Sequence, residues 1–459
     1  MGFADLLTAR LPERFTGRFI ERLNQRFTQQ DETLGRDSYY ANTAPAGPDC
    51  PALQGHVQAD VAIVGGGLAG LSAAVDLAQA GQRVVLLEAG RLGHAASGRN
   101  GGQALHGLGC EQDVIEAQLG LNDARRVWQM SIEALDLLRE RITQHGIDCD
   151  WQPGYLALAT SAAKGRALAD WADRMDKIYG DPLQRIAPAE VRQWIDSPRF
   201  HSGVHDPRSG HLHPLKYLRG LARAAIAAGV QVFENTTALQ LEDGPAPRLR
   251  CAQGSVQARQ VLLAGNAHLQ ALSPALAPTL AARVMPVGTY VACSQPLGPE
   301  LALQLIPSRS AVCDTHFVVD YFRFTADHRL LFGGGVSYST RTPPDLKDRL
   351  RARMQATFPQ LQTLQVEHLW GGFVDISMNR APDFGRLGGN VYYLQGFSGH
   401  GLALTGLAGR LAAQAMLGDA SRFDVFARLR HRPFPGGAAL RTPALVLAMA
   451  WYRLRDIVG

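Results

Sequence analysis

Residues 59–90 read "ADVAIVGGGLAGLSAAVDLAQAGQRVVLLEAG". "ADVAIV" is short and β-branched, the composition of a buried parallel strand. It runs into Gly65, Gly67 and Gly70, which with Leu68 and Ala69 fill a GxGxxG pattern. "LAGLSAAVDLAQA" has the composition of a helix, with Gly81 placed to close it. "QRVVLLE" then supplies a second strand ending at Glu88, 18 positions after Gly70. Each residue type has a physical reason. Gly65 permits the tight turn, and Gly67 lets bare backbone approach a pyrophosphate. Gly70 lets the helix pack closely on the strand, while the helix N-terminus offers free N–H groups to phosphate. Glu88 can accept hydrogen bonds from ribose hydroxyls. A GxGxxG alone is weak, but strand, helix and acid at this spacing make a dinucleotide cradle.

The cradle does not distinguish NAD from FAD. A second glycine patch, "GHAASGRNGGQ" at residues 93–103, follows the acidic strand and suits a backbone wrapped closely around a ligand. "VQARQVLLAGNAHL" (256–269) ends a strand at Ala264, Gly265 and Asn266. "NVYYLQGFSGHGLALTGLAGRLAAQAM" (390–416) places Gly396 to Gly401 between a strand and a long helix. That second helix N-terminus would face something electron-rich, such as the pyrimidine ring of a reduced flavin. Together the clusters point to FAD. A reductase using NADH as donor would need a second strand–GxGxxG–helix unit, and the sequence has none.

With 459 residues, 46% hydrophobic and 19% charged, the chain has the composition of a globular protein of two or three domains. The net charge of +5 is spread along the chain, which gives no reason to expect a nucleic-acid partner. Six widely spaced cysteines form no CxxC and no His-paired metal pattern, so reduced thiols of a cytoplasmic protein are expected, with no metal. The longest apolar run, "ALVLAMAWY" at 444–452, is too short to span a bilayer. No secretory signal is visible at the amino end. There Arg10, Arg14, Arg18, Arg22 and Arg26 recur every four residues, with Phe15, Phe19, Leu23 and Phe27 one position later. This amphipathic pattern suits either a helix lying on a membrane surface, through residues 1–29, or one docked on protein.

These stretches resemble the flavin-dependent amine oxidoreductases of the D-amino-acid oxidase superfamily, the group that includes glycine and sarcosine oxidases. "GFSGHG" and "RAPDFG" carry the superfamily resemblance. "GHLHPLKYLRGL" and "DYFRFTADHRLLFGGGV" are also family-like, while the SYY opening in "DSYYANTAP" and the HRPFPGG ending of "RFDVFARLRHRPFPGG" are narrower and similar to the branch acting on gamma-glutamylated polyamines. The resemblance runs from about residue 37 onward. It implies an α/β fold, with a discontinuous Rossmann-like FAD-binding domain and a mostly antiparallel β-sheet substrate domain. The expected segments are an arm at 1–36; cofactor segments at 37–110, 200–265 and 330–425; substrate segments at 111–199 and 266–329; and a tail at 426–459. The implied chemistry is hydride transfer from an amine-bearing carbon to flavin. Hydrolysis to an aldehyde and ammonia follows, with oxygen as electron acceptor.

Carried over by position, Gly65, Gly67, Leu68, Ala69, Gly70 and Glu88 hold the adenosine diphosphate. Ser97, Arg99, Asn100, Gly101, Gly102 and Gly265 lie along the rest of the cofactor. Ser398, Gly399, His400 and Gly401 meet the pyrimidine end, His400 through its backbone or as a base. His213 is either a flavin neighbour or a histidine satisfied in a turn. Tyr321 and Arg323 alternate onto one face of a strand and point into either the pocket or the core. Arg380 either matches a substrate carboxylate with its guanidinium fork or is solvated at the surface. Two departures bear on the substrate. Where sarcosine oxidases carry a carboxylate-binding lysine after GFSGHG, Ala403 stands here. Where they attach flavin to a cysteine, "VDISMNRAP" offers Ser377 and Met378, so non-covalent FAD is expected. A longer substrate, with its carboxylate far from the reacting amine, then fits better, gamma-glutamylputrescine being the expected case. The rival readings are a membrane-associated dehydrogenase passing electrons to a quinone, and a flavoprotein that has lost catalysis.

Overall fold

The structure is a computed structural model that describes residue 25 and residues 27–316, 318–337 and 342–435. Its centre is a six-stranded sheet. Strand Val61–Val64 lies between Val84–Leu87 and Gln260–Leu263; Gln231–Phe233 extends one edge, and Val391–Gln395 and Asp383–Leu387 the other. Every neighbouring pair is parallel except Asp383–Leu387 with Val391–Gln395. Val61–Val64 and Val84–Leu87 are buried at all four positions, as strands covered on both faces must be.

Helix Leu68–Gln79 covers one face and packs against helices Pro214–Ala227 and Leu404–Met416. A Cβ on Gly409 would sit 2.4 Å from the Ala69 carbonyl oxygen, so only glycine lets these two helix backbones approach so closely. Leu68–Gln79 ends as expected: Gly81 has φ +81°, Gly81 N–H donates to Ala78, and Gln82 N–H donates to Leu77. A four-stranded sheet, ordered Gly55–Gln58, Gly254–Gln257, Arg248–Arg250 and Gln240–Glu242, is separate.

The larger sheet has nine strands, ordered Val366–Ser377, Val284–Pro296, Arg329–Ser337, Tyr321–Phe324, Ala311–Asp314, Gln152–Ala159, Ser202–His211 and Gln103–Ala104, with Gln184–Ile186 also on Ser202–His211. It is antiparallel apart from Ala311–Asp314 beside Gln152–Ala159. Strands Ser202–His211, Arg329–Ser337 and Val366–Ser377 pair here, so the segments expected for the cofactor domain cut across the pairing. Alternation shows that a segment is a strand but not which sheet it joins.

On one face of this sheet Phe322 stacks on Phe332 at 5.4 Å and meets Phe358 edge-on at 5.6 Å. Helix Leu346–Thr357 covers that face. Tyr321 and Arg323 alternate onto the opposite face, toward the loop at residues 99–102.

Much of the amino-terminal stripe lies outside the described residues. Phe27 is described: it is buried against Phe373 at 4.3 Å and His268 at 5.1 Å. Among the described residues no helix is long and apolar enough to cross a membrane.

The tightest contact in the cradle is testable. A Cβ on Gly70 would stand 2.0 Å from the Gly65 carbonyl oxygen, which is main chain and cannot rotate aside. Gly70→Ala is expected to cost about 1–3 kcal/mol by overpacking, read as a lower melting temperature with loss of the yellow flavin colour.

Candidate functional site

Four neighbouring parallel strands, Val391–Gln395, Gln260–Leu263, Val61–Val64 and Val84–Leu87, end on the same edge of the smaller sheet. Their carboxyl ends release Gly396 to Gly401, Ala264–Gly265, Gly65 to Gly70 and Glu88. Open α/β sheets bind ligands at that edge, and here it is built from bare backbone.

Gly65 has φ +109°, and a Cβ there would lie 2.7 Å from the Ala264 carbonyl oxygen. The ends of strands Val61–Val64 and Gln260–Leu263 thus meet main chain to main chain. Gly67 caps helix Leu68–Gln79, whose first N–H groups have no helical acceptor. Ser97 Oγ accepts from Leu68 N–H at 3.1 Å, and a Cβ on Gly67 would stand 2.9 Å from the same oxygen. The Glu88 carboxylate accepts from Gly66 N–H at 2.8 Å and from Gly90 N–H at 2.9 Å, which fixes it beside the helix end. An acid and a helix N-terminus side by side match a ribose and a pyrophosphate.

The second patch is a short helix, Ala96–Arg99, followed by a loop that holds itself. Asn100 Nδ2 donates to the Ala96 and Ser97 carbonyls at 3.1 Å each, while its Oδ1 accepts from Gly102 N–H at 2.9 Å. Arg99 points away from this loop. Its guanidinium donates to Asp31 Oδ1 at 3.0 Å and to the Asp31 carbonyl at 2.8 Å, and Asp31 is also 3.1 Å from His268 Nε2. Gly101 supports the Tyr321 ring, which a Cβ would meet at 2.4 Å; Gly333, its register partner on strand Arg329–Ser337, also lies against it. Burial keeps the Tyr321 phenol protonated by pushing its pKa up.

The third cluster turns on Ser398 and Gly399, with φ +52° and +84°. A Cβ on Gly399 would meet nothing within 4 Å, so the loop faces open space. Helix Leu404–Met416 begins just beyond, with Thr405 N–H donating to Gly401 at 3.0 Å. Beneath the loop lies Asp375, whose carboxylate accepts from the N–H groups of Gly396 and Phe397 and whose carbonyl accepts from Ser398 N–H at 3.0 Å.

His400 is held by a relay. Its Nε2 lies 2.6 Å from the His106 carbonyl and therefore carries the proton. His106 Nδ1 lies 2.6 Å from Asp206 Oδ2 and 3.2 Å from Ser209 Oγ. Burial pushes the His400 imidazole down to about 4, so it is neutral at pH 7 with Nδ1 unprotonated. The exposed Arg380, at φ +59°, is close enough to contribute to that depression. Arg323, by contrast, is buried, with Nε on the Gly101 carbonyl at 2.9 Å and Nη2 on Tyr40 Oη at 3.0 Å. His213 caps helix Pro214–Ala227 by accepting from Lys216 N–H at 3.2 Å, which is the turn role.

A family model described as FAD dependent oxidoreductase matches residues 60–415. The chain belongs to the FAD dependent oxidoreductase family. It is 41% identical over 422 residues to the gamma-glutamylputrescine oxidoreductase of Escherichia coli (strain K12), covering 92% of this chain and 98% of that one. A probable oxidoreductase, OrdL, of Haemophilus influenzae is 35% identical over 421 residues, covering 91% of this chain and 97% of its own. The fold is similar to glycine oxidase from Geobacillus kaustophilus, with a TM-score of 0.65 and 21% identity over 79% of this chain and 95% of that one.

Sequence reasoning about this oxidoreductase missed the acids that hold its loops. Asp31 and Asp206 stand outside every quoted stretch and Asp375 was passed over within "VDISMNRAP", and each reaches its partner across the fold: Asp375 serves Gly396, Asp206 serves His106, and Asp31 serves Arg99. A lone aspartate at the end of a glycine-containing strand carries no local signal.

Asp375 gives a pH prediction. Burial, reinforced by Asp383, pushes its carboxyl up to about 7 against three backbone N–H contacts that pull it down. The fold therefore binds a proton that the unfolded chain has released. The stability that this group contributes is full below its ordinary pKa of 3.8 and is lost as pH rises to about 7. In Asp375→Asn, whose amide oxygen can still accept from the loop, that slope should vanish. Chemical denaturation of both proteins from pH 4 to 8 should show the variant gaining on the parent up to about pH 7 and no further.

Proposed function

We propose that this oxidoreductase oxidises the free amine of a gamma-glutamylated polyamine, gamma-glutamylputrescine above all, to the aldehyde, ammonia and hydrogen peroxide. The observation that carries the reading is the 41% identity, over nearly the full length of both chains, to an enzyme named for that substrate.

Bound FAD supplies a two-electron oxidant that takes hydride from the carbon bearing the amine. The chain's part is to hold, orient and keep dry. Gly65, Gly67, Leu68, Ala69, Gly70 and Glu88 would hold the adenosine diphosphate. Ser97, Asn100, Gly101, Gly102 and Gly265 would line the middle of the cofactor. Ser398, Gly399, His400 and Gly401 would meet the pyrimidine ring, with the N-terminus of helix Leu404–Met416 favouring negative charge there. Arg99 would help through its backbone, its side chain being engaged by Asp31.

On the substrate side, Tyr321 gives a rigid aromatic wall propped by Gly101 and Gly333. The neutral His400 leaves Nδ1 unprotonated, a form that can accept a hydrogen bond from a substrate amine and does not repel it as a cation would. Ala403 is buried where sarcosine oxidases carry their lysine, which removes the nearest anchor for a small amino acid's carboxylate. The carboxylate of a longer substrate would have to be held elsewhere.

With no cysteine adjoining Asp375 to Arg380, FAD would be held without a covalent bond. Acid precipitation of the yellow protein should then leave a colourless pellet and free FAD in the supernatant; flavin retained in the pellet would contradict this. Gamma-glutamylputrescine in air should give aldehyde and peroxide in equal amounts, with sarcosine and D-alanine at least tenfold poorer in kcat/KM. An accepted substrate that bleaches the flavin anaerobically yet yields no peroxide in air would exclude oxygen as the acceptor.

A further inference from the structure

The large sheet carries, at the Arg323 end of strand Tyr321–Phe324, a cavity of about 210 Å³. Its lining includes Tyr39, Asp150, His211, His213, Arg309 and Arg323. The charge there is unbalanced. Arg323 is only 3% exposed, yet every group its guanidinium touches is neutral: the carbonyls of Gly101, Leu212 and Phe324, Tyr40 Oη and His211 Nδ1. Neither Arg323 nor Arg309 has a carboxylate within ion-pair distance among the described residues. A charge taken out of water costs free energy unless an opposite charge or a full set of hydrogen bonds replaces the solvent.

The set is weakest at one atom. Nε and Nη2 of Arg323 make bonds of 2.9–3.0 Å, but Nη1 reaches only His211 Nδ1 and the Phe324 carbonyl, both at 3.4 Å. His211 and Phe324 both line the cavity, so the under-used donor lies on the cavity side. The two histidines do not compete as cations. His211 donates Nε2–H to the Arg309 carbonyl at 2.9 Å and keeps Nδ1 unprotonated, and His213 Nδ1 accepts from Lys216 N–H. Burial and the neighbouring Arg323 push both imidazoles down to about 3. His213 also marks the N-terminus of a 14-residue helix, a third positive element at the same wall. The one carboxylate in the lining, Asp150, is held by Lys216 Nζ at 2.9 and 3.0 Å.

We propose that this cavity is a subsite for the carboxylate of an amino-acid head group, bound between Arg309 and Nη1 of Arg323, with the head's ammonium against Asp150. Space for about seven waters is too small for a whole polyamine conjugate and enough for such a head. Tyr321 and Arg323 stand roughly 6–7 Å apart along one strand face. Resting on the substrate reading above, the inference assigns this head to the glutamyl end of the substrate, while the amine end lies toward Tyr321. A free amino acid has the same chemistry, and the test separates the two sources.

The test uses the FAD-loaded enzyme and calorimetric titration with L-glutamate, glutarate and putrescine. Glutamate and glutarate should bind, and putrescine should not. Arg309→Ala, at an exposed position, should weaken both at least tenfold, and Asp150→Asn should weaken glutamate more than glutarate. In steady state Arg309→Ala should raise KM for gamma-glutamylputrescine at least tenfold with kcat within about twofold. Absence of glutamate and glutarate binding, or equal binding by parent and Arg309→Ala, overturns the subsite. Binding that is lost in Arg309→Ala while KM stays constant gives the cavity to a free amino acid and overturns the glutamyl assignment. An enzyme that ignores gamma-glutamylputrescine but binds glutamate through Arg309 would refute the substrate reading and leave the subsite standing.

Discussion

The structure depends on the close approach of main chain to main chain at the carboxyl edge of the smaller sheet. Gly65 lies against the Ala264 carbonyl, and Gly70 against the Gly65 carbonyl, at distances no side chain could share. This brings the ends of four parallel strands together with nothing but backbone between them. The result is a surface of N–H groups and one acid, Glu88, suited to a long, flat, anionic molecule. Everything on the substrate side is placed relative to that edge, because the larger sheet reaches it through the 99–102 loop and the Gly396–Gly401 turn.

Bare backbone is a poor positioning device unless something holds it. Here the holding is done by carboxylates at a distance in sequence. Glu88 ties Gly66 and Gly90, and Asp375 ties the N–H groups entering the third cluster. Asp31 pulls Arg99 and His268 onto the amino-terminal helical segment. Asp206 orients His106, whose carbonyl sets the tautomer of His400. The second and third loops are thus held by hydrogen bonds to groups that would not touch the cofactor, which restricts their geometry before any ligand arrives.

A local pattern is readable when its physical cause is local. The strand–glycine–helix–acid order of residues 59–90 appears in the fold as written, because turn, helix cap and strand are decided within a few residues. The same holds for Gly81 as the helix stop. The alternation of Tyr321 and Arg323 put both on one face, as expected. What alternation could not say was where that face leads: Tyr321 rests on Gly101 and Gly333, while Arg323 is buried among Gly101, Tyr40, His211 and Leu212. Arg99 shows the opposite limit. Its place in a glycine-rich loop was legible, but its side chain turns to Asp31, 68 positions earlier.

From the sequence alone came the parallel dinucleotide unit, the glycine clusters and the family, because each rests on short-range spacing that the backbone enforces. The tertiary structure alone decided which strands join the larger sheet, which acids hold the loops, and where positive charge stands unpaired. Those outcomes arise when residues tens to hundreds of positions apart are brought to within about 3 Å. No spacing rule along the chain encodes such contacts; only the packing of the two sheets does.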